Sequence, residues 1–219
     1  MARSWWGWGD DEKRLDAAGL QATVRETLGF AAEEIEAPVR LEDVVLPAPR
    51  LDSPYSSRPG DRIAHAYGSS YRDTVRAFRG RIDHPPDAVA FARTEADVEA
   101  VLEWAAGARA AIVPFGGGTG VVGGVECPVP PGFDGVVSLD VSGLDRVLEL
   151  DRVSRSARVQ AGVSGPALEA QLARDAMTMR FSPSPSSSRR SGAGSPPARA
   201  GTSRRCGPTW TTSSSRSAR

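Results

Sequence analysis

The residues of this chain best suited to chemistry are a run of glycines. Ala111 to Phe115 reads as a buried strand, and Gly116-Gly117-Gly118-Thr119-Gly120-Val121-Val122-Gly123-Gly124 follows it directly. Residues without a side chain let backbone N–H groups approach an anion and converge on it. Thr119 adds a hydroxyl donor, and a diphosphate is the natural guest. The alternative for any glycine-rich loop is a flexible surface turn. The strand in front of this loop and its lack of serine padding favour the anion site.

Gly118, Gly120 and Gly123 formally spell GxGxxG, with Asp140 at a plausible distance for a ribose-binding acid. That motif marks a nicotinamide-dinucleotide site only if a helix starts inside it and turns its N-terminus to the pyrophosphate. Here Val125-Glu126-Cys127-Pro128-Val129-Pro130-Pro131-Gly132 follows. Three prolines in four residues forbid the helix, so a nicotinamide-dinucleotide-binding domain is the weaker alternative.

The elements that must hold the loop are readable around it. Leu15 to Leu28 has helical spacing, with Leu20, Val24 and Leu28 on one face. A proline-rich connection runs from Pro38 to Pro59, and Asp61 to Arg81 is polar with no clear periodicity. Pro85-Pro86 marks a boundary. Ala88 to Ala92 reads as a short buried strand. Thr94 with Asp97 forms a capping box for a helix that buries Val98, Val101, Leu102 and Ala105 and ends at Gly107. Beyond the loop, Val136–Leu139, Val147–Leu150 and Ala157–Ala161 read as strands. Ser164 caps a helix from Pro166 to about Arg174. The order β-α-β, glycine loop, β-β-β-α makes an α+β fold.

Composition narrows the class of function. The chain has 219 residues and a formal net charge of zero. Seven of its 27 basic residues lie from Phe181 onward, where no Asp or Glu occurs, leaving 20 basic and 27 acidic residues before that point. A body with net charge −7 is not built for nucleic acid. No apolar run is long enough to span a bilayer, and the start of the chain lacks the apolar core of a signal peptide. Cys127 and Cys206 have no metal-ligand spacing, which fits a reduced, cytoplasmic protein. His65 and His84, the only histidines, are expected as surface or loop residues without a chemical role.

Four stretches in order, PDAVAFARTEADVEAVLEWA, IVPFGGGTGVVGGVECP, VVSLDVSGLDRVLELD and ARVQAGVSGPALEAQL, resemble the FAD-linked oxidases of the vanillyl-alcohol oxidase and p-cresol methylhydroxylase (PCMH) group. The branch of that group they resemble is alkylglycerone-phosphate synthase with its bacterial relatives, and SWWGWGD and AHAYGSSYRD are similar to the bacterial members. The resemblance implies an N-terminal extension over 1–84 and part of a PCMH-type FAD-binding domain over 85–180. It implies that Pro114, Phe115, Gly116, Gly117, Gly118, Thr119 and Gly120 bind the FAD diphosphate. The family usually has Ser where this chain has Gly120, so a backbone contact there survives and a hydroxyl contact does not. Some relatives tether the flavin to a His or Cys in this region. No His lies between Pro114 and Gly124 and Cys127 falls past the glycines, so non-covalent FAD is expected. The implied activity is flavin-dependent oxidoreduction of a small-molecule substrate or, in the synthase branch, exchange of an acyl for an alkyl group on dihydroxyacetone phosphate. The substrate domain and the catalytic residues of the family lie further on, and no residue here is named as catalytic.

The stretch 181–219 differs in character. It is rich in Ser, Arg and Pro, has hardly any aliphatic residue beyond alanine, and is expected to be disordered. An Arg/Ser-rich nucleic-acid-binding tail on a non-enzymatic protein is one reading. A frame slip near Met179 to Ser184 fits better. The family's second flavin-binding stretch reads approximately QSFEFSTLGGWIATRAGG. Encoded in GC-rich codons and read one nucleotide later, it spells SPSSSRRSGAGSPPARA, which is Ser184 to Ala200. On this reading the chain is a truncated fragment, inactive by itself.

Overall fold

The structure, a computed structural model, describes residues 4–8 and 16–179. The tail from Arg180 onward, with the disorder expected of it, lies outside the described residues.

A parallel three-stranded sheet organises the fold. Its strands are β1 (Ala88–Phe91), β2 (Ala110–Phe115) and β3 (Gly135–Asp140), in the order β1-β3-β2. β3 is buried along its whole length, as a central parallel strand must be. Between β1 and β2 the chain crosses over through a helix, Glu95–Gly107. The expected capping box at its start is present: Asp97 N–H donates to Thr94 Oγ1 at 3.1 Å, and Thr94 N–H to Asp97 Oδ2 at 2.8 Å. Val101 and Ala105 are buried against the sheet, with Val98 and Trp104 beside them. Leu102 is a correction: it is 51% exposed. The buried face centres on Val101, Ala105 and Trp104, and Leu102 lies about 100° round the helix from Val101.

After the sheet, β4 (Val147–Asp151) and β5 (Ser156–Val159) pair as an antiparallel hairpin. A helix, Gly165–Ala173, capped by Ser164, packs Leu168 and Leu172 under it. The sequence order of strands was therefore right. The pairing of β3 between β1 and β2 was not visible, because parallel partners are set by crossovers and not by local turns.

Ahead of the sheet, the described residues form three α-helices, α1 (Ala17–Leu28), α2 (Pro59–Ala64) and α3 (Tyr71–Phe78), with a short 3-10 turn at Leu41–Asp43. Numbered onward in chain order, the crossover helix is α4 and the last helix α5. α1 has the expected stripe, yet Leu20 and Leu28 are exposed. α2 and α3 occupy ground that read as proline-rich and polar. α2 is only six residues long, opened by Pro59, too short for periodicity to show. α3 is opened by a capping box between Ser70 and Asp73, the one local signal that announces it.

The N-terminal residues are bound tightly to the sheet. Ser56 bridges Val89 of β1, with N–H···O distances of 3.1 and 2.8 Å in the two directions. Buried Arg62 donates to the carbonyls of Pro86 (2.7 Å) and Pro47 (2.9 Å). At the amino end of the sheet, fully buried Asp87 accepts from Arg50 N–H (2.8 Å), Arg50 Nε (2.9 Å) and Val136 N–H (2.8 Å).

Candidate functional site

The strand register decides where chemistry can happen. Phe91 pairs with Asp140 across β1–β3, and Phe115 with Asp140 across β2–β3. The three carboxyl ends thus finish in one row, Phe91-Asp140-Phe115. Crevices outside the carboxyl ends of parallel strands are the usual ligand sites of such sheets. Here a cavity of about 410 Å3 opens beside β2 and β3 at that end. Phe115, Gly116, Gly117 and Gly118 form one wall, Asp140 and Ser142 another. α2, α3 and the turn between them contribute His65, Gly68, Ser69 and Asp73, and Trp5 and Trp6 close the side.

The glycine loop leaves β2 as irregular backbone, and no helix begins between Gly118 and Gly123. The nicotinamide-type alternative fails on that geometry. Gly118 has φ +62°, and a Cβ there would stand 2.8 Å from the Phe115 ring. Glycine is therefore required twice over, for backbone sign and for space. Among the described residues, no backbone N–H from Gly117 to Val122 donates to another protein group. Thr119 is 4% exposed and its hydroxyl has no hydrogen-bond partner. Buried polar groups are normally paired, and an unpaired one costs about 1–3 kcal/mol, so the Thr119 hydroxyl makes the loop a candidate ligand site. Of the residues expected to bind the diphosphate, Phe115 to Gly118 line the cavity. Pro114 is exposed on β2, and Thr119 and Gly120 sit in the loop beyond the cavity wall.

His65 corrects the sequence reading. It is 6% exposed, at the end of α2, and lies over the terminal row of the sheet. Its ring centroid is 4.4 Å from that of Phe115 and 5.6 Å from that of Phe91. Nε2 lies 3.0 Å from Asp140 Oδ2 and Nδ1 2.7 Å from the Asp61 carbonyl oxygen. Both ring nitrogens face acceptors. Burial acts to raise the pKa of Asp140, but the bonds from His65 and from Ser142 N–H (2.6 Å) outweigh it and hold the carboxyl below its ordinary value. Nothing local in the sequence joins residues 65 and 140, so only the fold reveals the pair. His84 is exposed, as expected.

Cys127 is fully buried, and desolvation pushes its thiol up to about 12. A thiol held neutral in this way is a poor nucleophile. No group of His, Cys, Asp and Glu suited to a metal ion occurs among the described residues. Among them, too, no helix is long and apolar enough to cross a membrane.

A protein-family model described as "FAD binding domain" matches residues 86–214, more than half of the chain. The chain belongs to that family, and its fold is the PCMH-type FAD-binding fold that its motifs resemble. Its curated relatives include alkyldihydroxyacetonephosphate synthases. The one from Trypanosoma brucei brucei is 40% identical over 56% of this chain and 20% of its own length. The one from Caenorhabditis elegans is 31% identical over 68% of this chain and 25% of its own. The chain thus spans about a fifth to a quarter of these relatives. A solved structure of an alkyldihydroxyacetonephosphate synthase superposes with TM-score 0.75 over 87% of this chain and 42% of that one, at 24% identity, which speaks for the fold. The cofactor of the family is FAD, and the open donors of the glycine loop fit its diphosphate. The family match extends through 181–214.

Proposed function

We propose that this chain supplies the diphosphate-binding front part of the FAD site of a flavoprotein related to alkylglycerone-phosphate synthase. The observation that carries the proposal is the glycine loop at the carboxyl end of β2, with its N–H groups and the buried Thr119 hydroxyl unpaired. In this reading Phe115 to Gly118 shape the wall against the diphosphate and Thr119 and Gly120 close the loop around it, while Pro114 fixes the exit from β2. The bound flavin supplies hydride acceptance. The residues present here bind and orient it and carry no proton transfer. The flavin is held without a covalent bond, since Cys127 is buried and its thiol stays protonated. Residues 1–84 serve as an extension to the domain that begins at Pro85.

The unpaired donors and the cavity form half a crevice. We read 181–219 as out of frame and the second half of the crevice as encoded in the shifted frame. Diphosphate contacts alone leave little to offset the entropy lost on binding. FAD should therefore bind weakly to the chain as it stands and tightly to the product of a gene with the frame restored by one nucleotide. Titration of both with FAD, followed by flavin fluorescence, tests this. Absence of binding in both forms overturns the proposal. Stoichiometric, tight binding by the present chain overturns the account of its tail, as does a locus with no oxidase frame downstream.

A further inference from the structure

We propose that Gly68 and Ser69 are positioning residues for the FAD diphosphate: Ser69 holds the carbonyls of Gly118 and Gly120, Gly68 gives the Gly120 carbonyl its room, and the loop's N–H groups are so aimed the opposite way. The inference rests on the reading of the loop as a diphosphate cradle. It adds a part of that cradle lying outside the family match, in the turn between α2 and α3.

Three contacts carry it. Ser69 Oγ donates to Gly118 O at 2.7 Å. Ser69 N–H donates to Gly120 O at 2.8 Å. Gly68 lies so close that a Cβ on it would meet Gly120 O at 2.2 Å and Gly120 C at 3.1 Å. A peptide unit is planar and trans, so its C=O and the following N–H point in opposite directions. Fixing the carbonyls of Gly118 and Gly120 toward Ser69 therefore fixes the N–H groups of Thr119 and Val121 away from it. Those N–H groups donate to nothing among the described residues. Open N–H groups held in a fixed direction by a glycine loop suit an anion, here on the face of the loop turned away from Ser69.

The brace is itself anchored. Ser70 caps α3, which begins at Tyr71, and Asp73 returns the bond. One turn on, Arg76 reaches Glu126, beyond the far end of the loop, at 2.5 Å, and its guanidinium lies 4.3 Å over the Tyr67 ring. The loop is thus gripped at 118 and 120 by Ser69 and behind 124 by Arg76. A glycine loop left free would lose conformational entropy on each binding event. Held in this way, it presents its donors with that cost already met.

The test uses the full chain labelled with 15N, with Ser69→Ala, Ser69→Thr and Gly68→Ala. Order parameters of the amides from Gly118 to Val121 are measured first, without ligand. Rigid backbone, about 0.85, is expected in the unaltered chain and values below about 0.6 in Ser69→Ala and Gly68→Ala. Shift titrations with FAD and with inorganic pyrophosphate then report affinity. At least tenfold weaker binding of both is expected for the two alanine variants, with the Thr119 and Val121 amides no longer the most shifted, and Ser69→Thr restoring them. The urea midpoint of Ser69→Ala should match that of the unaltered chain. Unchanged order and affinity in both alanine variants overturn the proposal, as does a loss of affinity that only tracks a loss of global stability. If neither the unaltered chain nor its frame-restored form shows a shift with either probe, the proposed function falls, and the order parameters still decide whether the brace exists.

Discussion

The two ends of the parallel sheet contrast sharply. At the amino end, Asp87 is buried without a free oxygen: Arg50 and Val136 both donate to it, and β1 and β3 are tied there to the N-terminal segment. At the carboxyl end, Asp140 is likewise bonded, to His65 and Ser142, but the glycine loop that leaves β2 there keeps its donors open. One carboxylate closes a structure. The other supports a wall that faces a cavity. The difference teaches that a buried acid is not by itself a functional sign. What separates the two ends is the glycine loop, whose N–H groups from Gly117 to Val122 have no partner among the described residues, while the backbone next to either carboxylate is paired.

Removing Asp87 should have the largest effect. Asp87→Ala removes the acceptor of three hydrogen bonds, from Arg50 N–H, Arg50 Nε and Val136 N–H, and hydrogen bonds to a charged group are worth about 1.5–3 kcal/mol each. The urea midpoint should fall steeply, or the chain should fail to fold, whether or not FAD is present. A loss below about 1 kcal/mol would break the contrast, since the amino end would then be no firmer than the other.

Next comes Asp140→Asn, expected to cost roughly 1.5–3 kcal/mol, the range of hydrogen bonds to charged groups. The effect should depend on pH. The pKa of Asp140 is depressed in the folded state, so its contribution is complete above the ordinary carboxylate value of about 3.9 and is lost as pH falls through the lower folded value. Urea midpoints of the parent and Asp140→Asn should therefore converge in acid and stay apart at neutral pH. A constant gap across this window would show that the carboxylate's charge is not what stabilises the row.

Gly118→Ala should act on the ligand more than on the fold. A side chain at φ +62° costs about 1–2 kcal/mol, and its Cβ meets the Phe115 ring. Flavin affinity should fall at least tenfold, while thermal stability drops by no more than that strain. Equal affinity in the variant would mean that the loop's conformation is irrelevant to the ligand. The smallest effect belongs to Cys127→Ser. The thiol is held neutral, so flavin should be released by acid precipitation from the frame-restored parent and its variant alike. Flavin retained by the parent protein alone would establish a covalent link through that sulfur.

Local patterns in the sequence were enough for the elements nearest the loop. Thr94 with Asp97, Ser164 before Pro166, and the glycines after a β-branched run each act within a few residues, and the structure has helix, cap and loop at those places. The prolines after Cys127 likewise ruled out a Rossmann helix without any tertiary information. Tertiary structure alone decided the rest, because the deciding contacts join distant residues. Insertion of β3 between β1 and β2, the placing of Phe91, Asp140 and Phe115 in one row, and the pairing of His65 with Asp140 depend on crossover and register, which leave no mark at short range. Gly68 looks like any turn glycine until the Gly120 carbonyl stands where its Cβ would be. The sequence could name a loop that would bind an anion; which way its peptides point was decided by a turn some fifty residues upstream in the chain, through hydrogen bonds that exist only once the two are packed together.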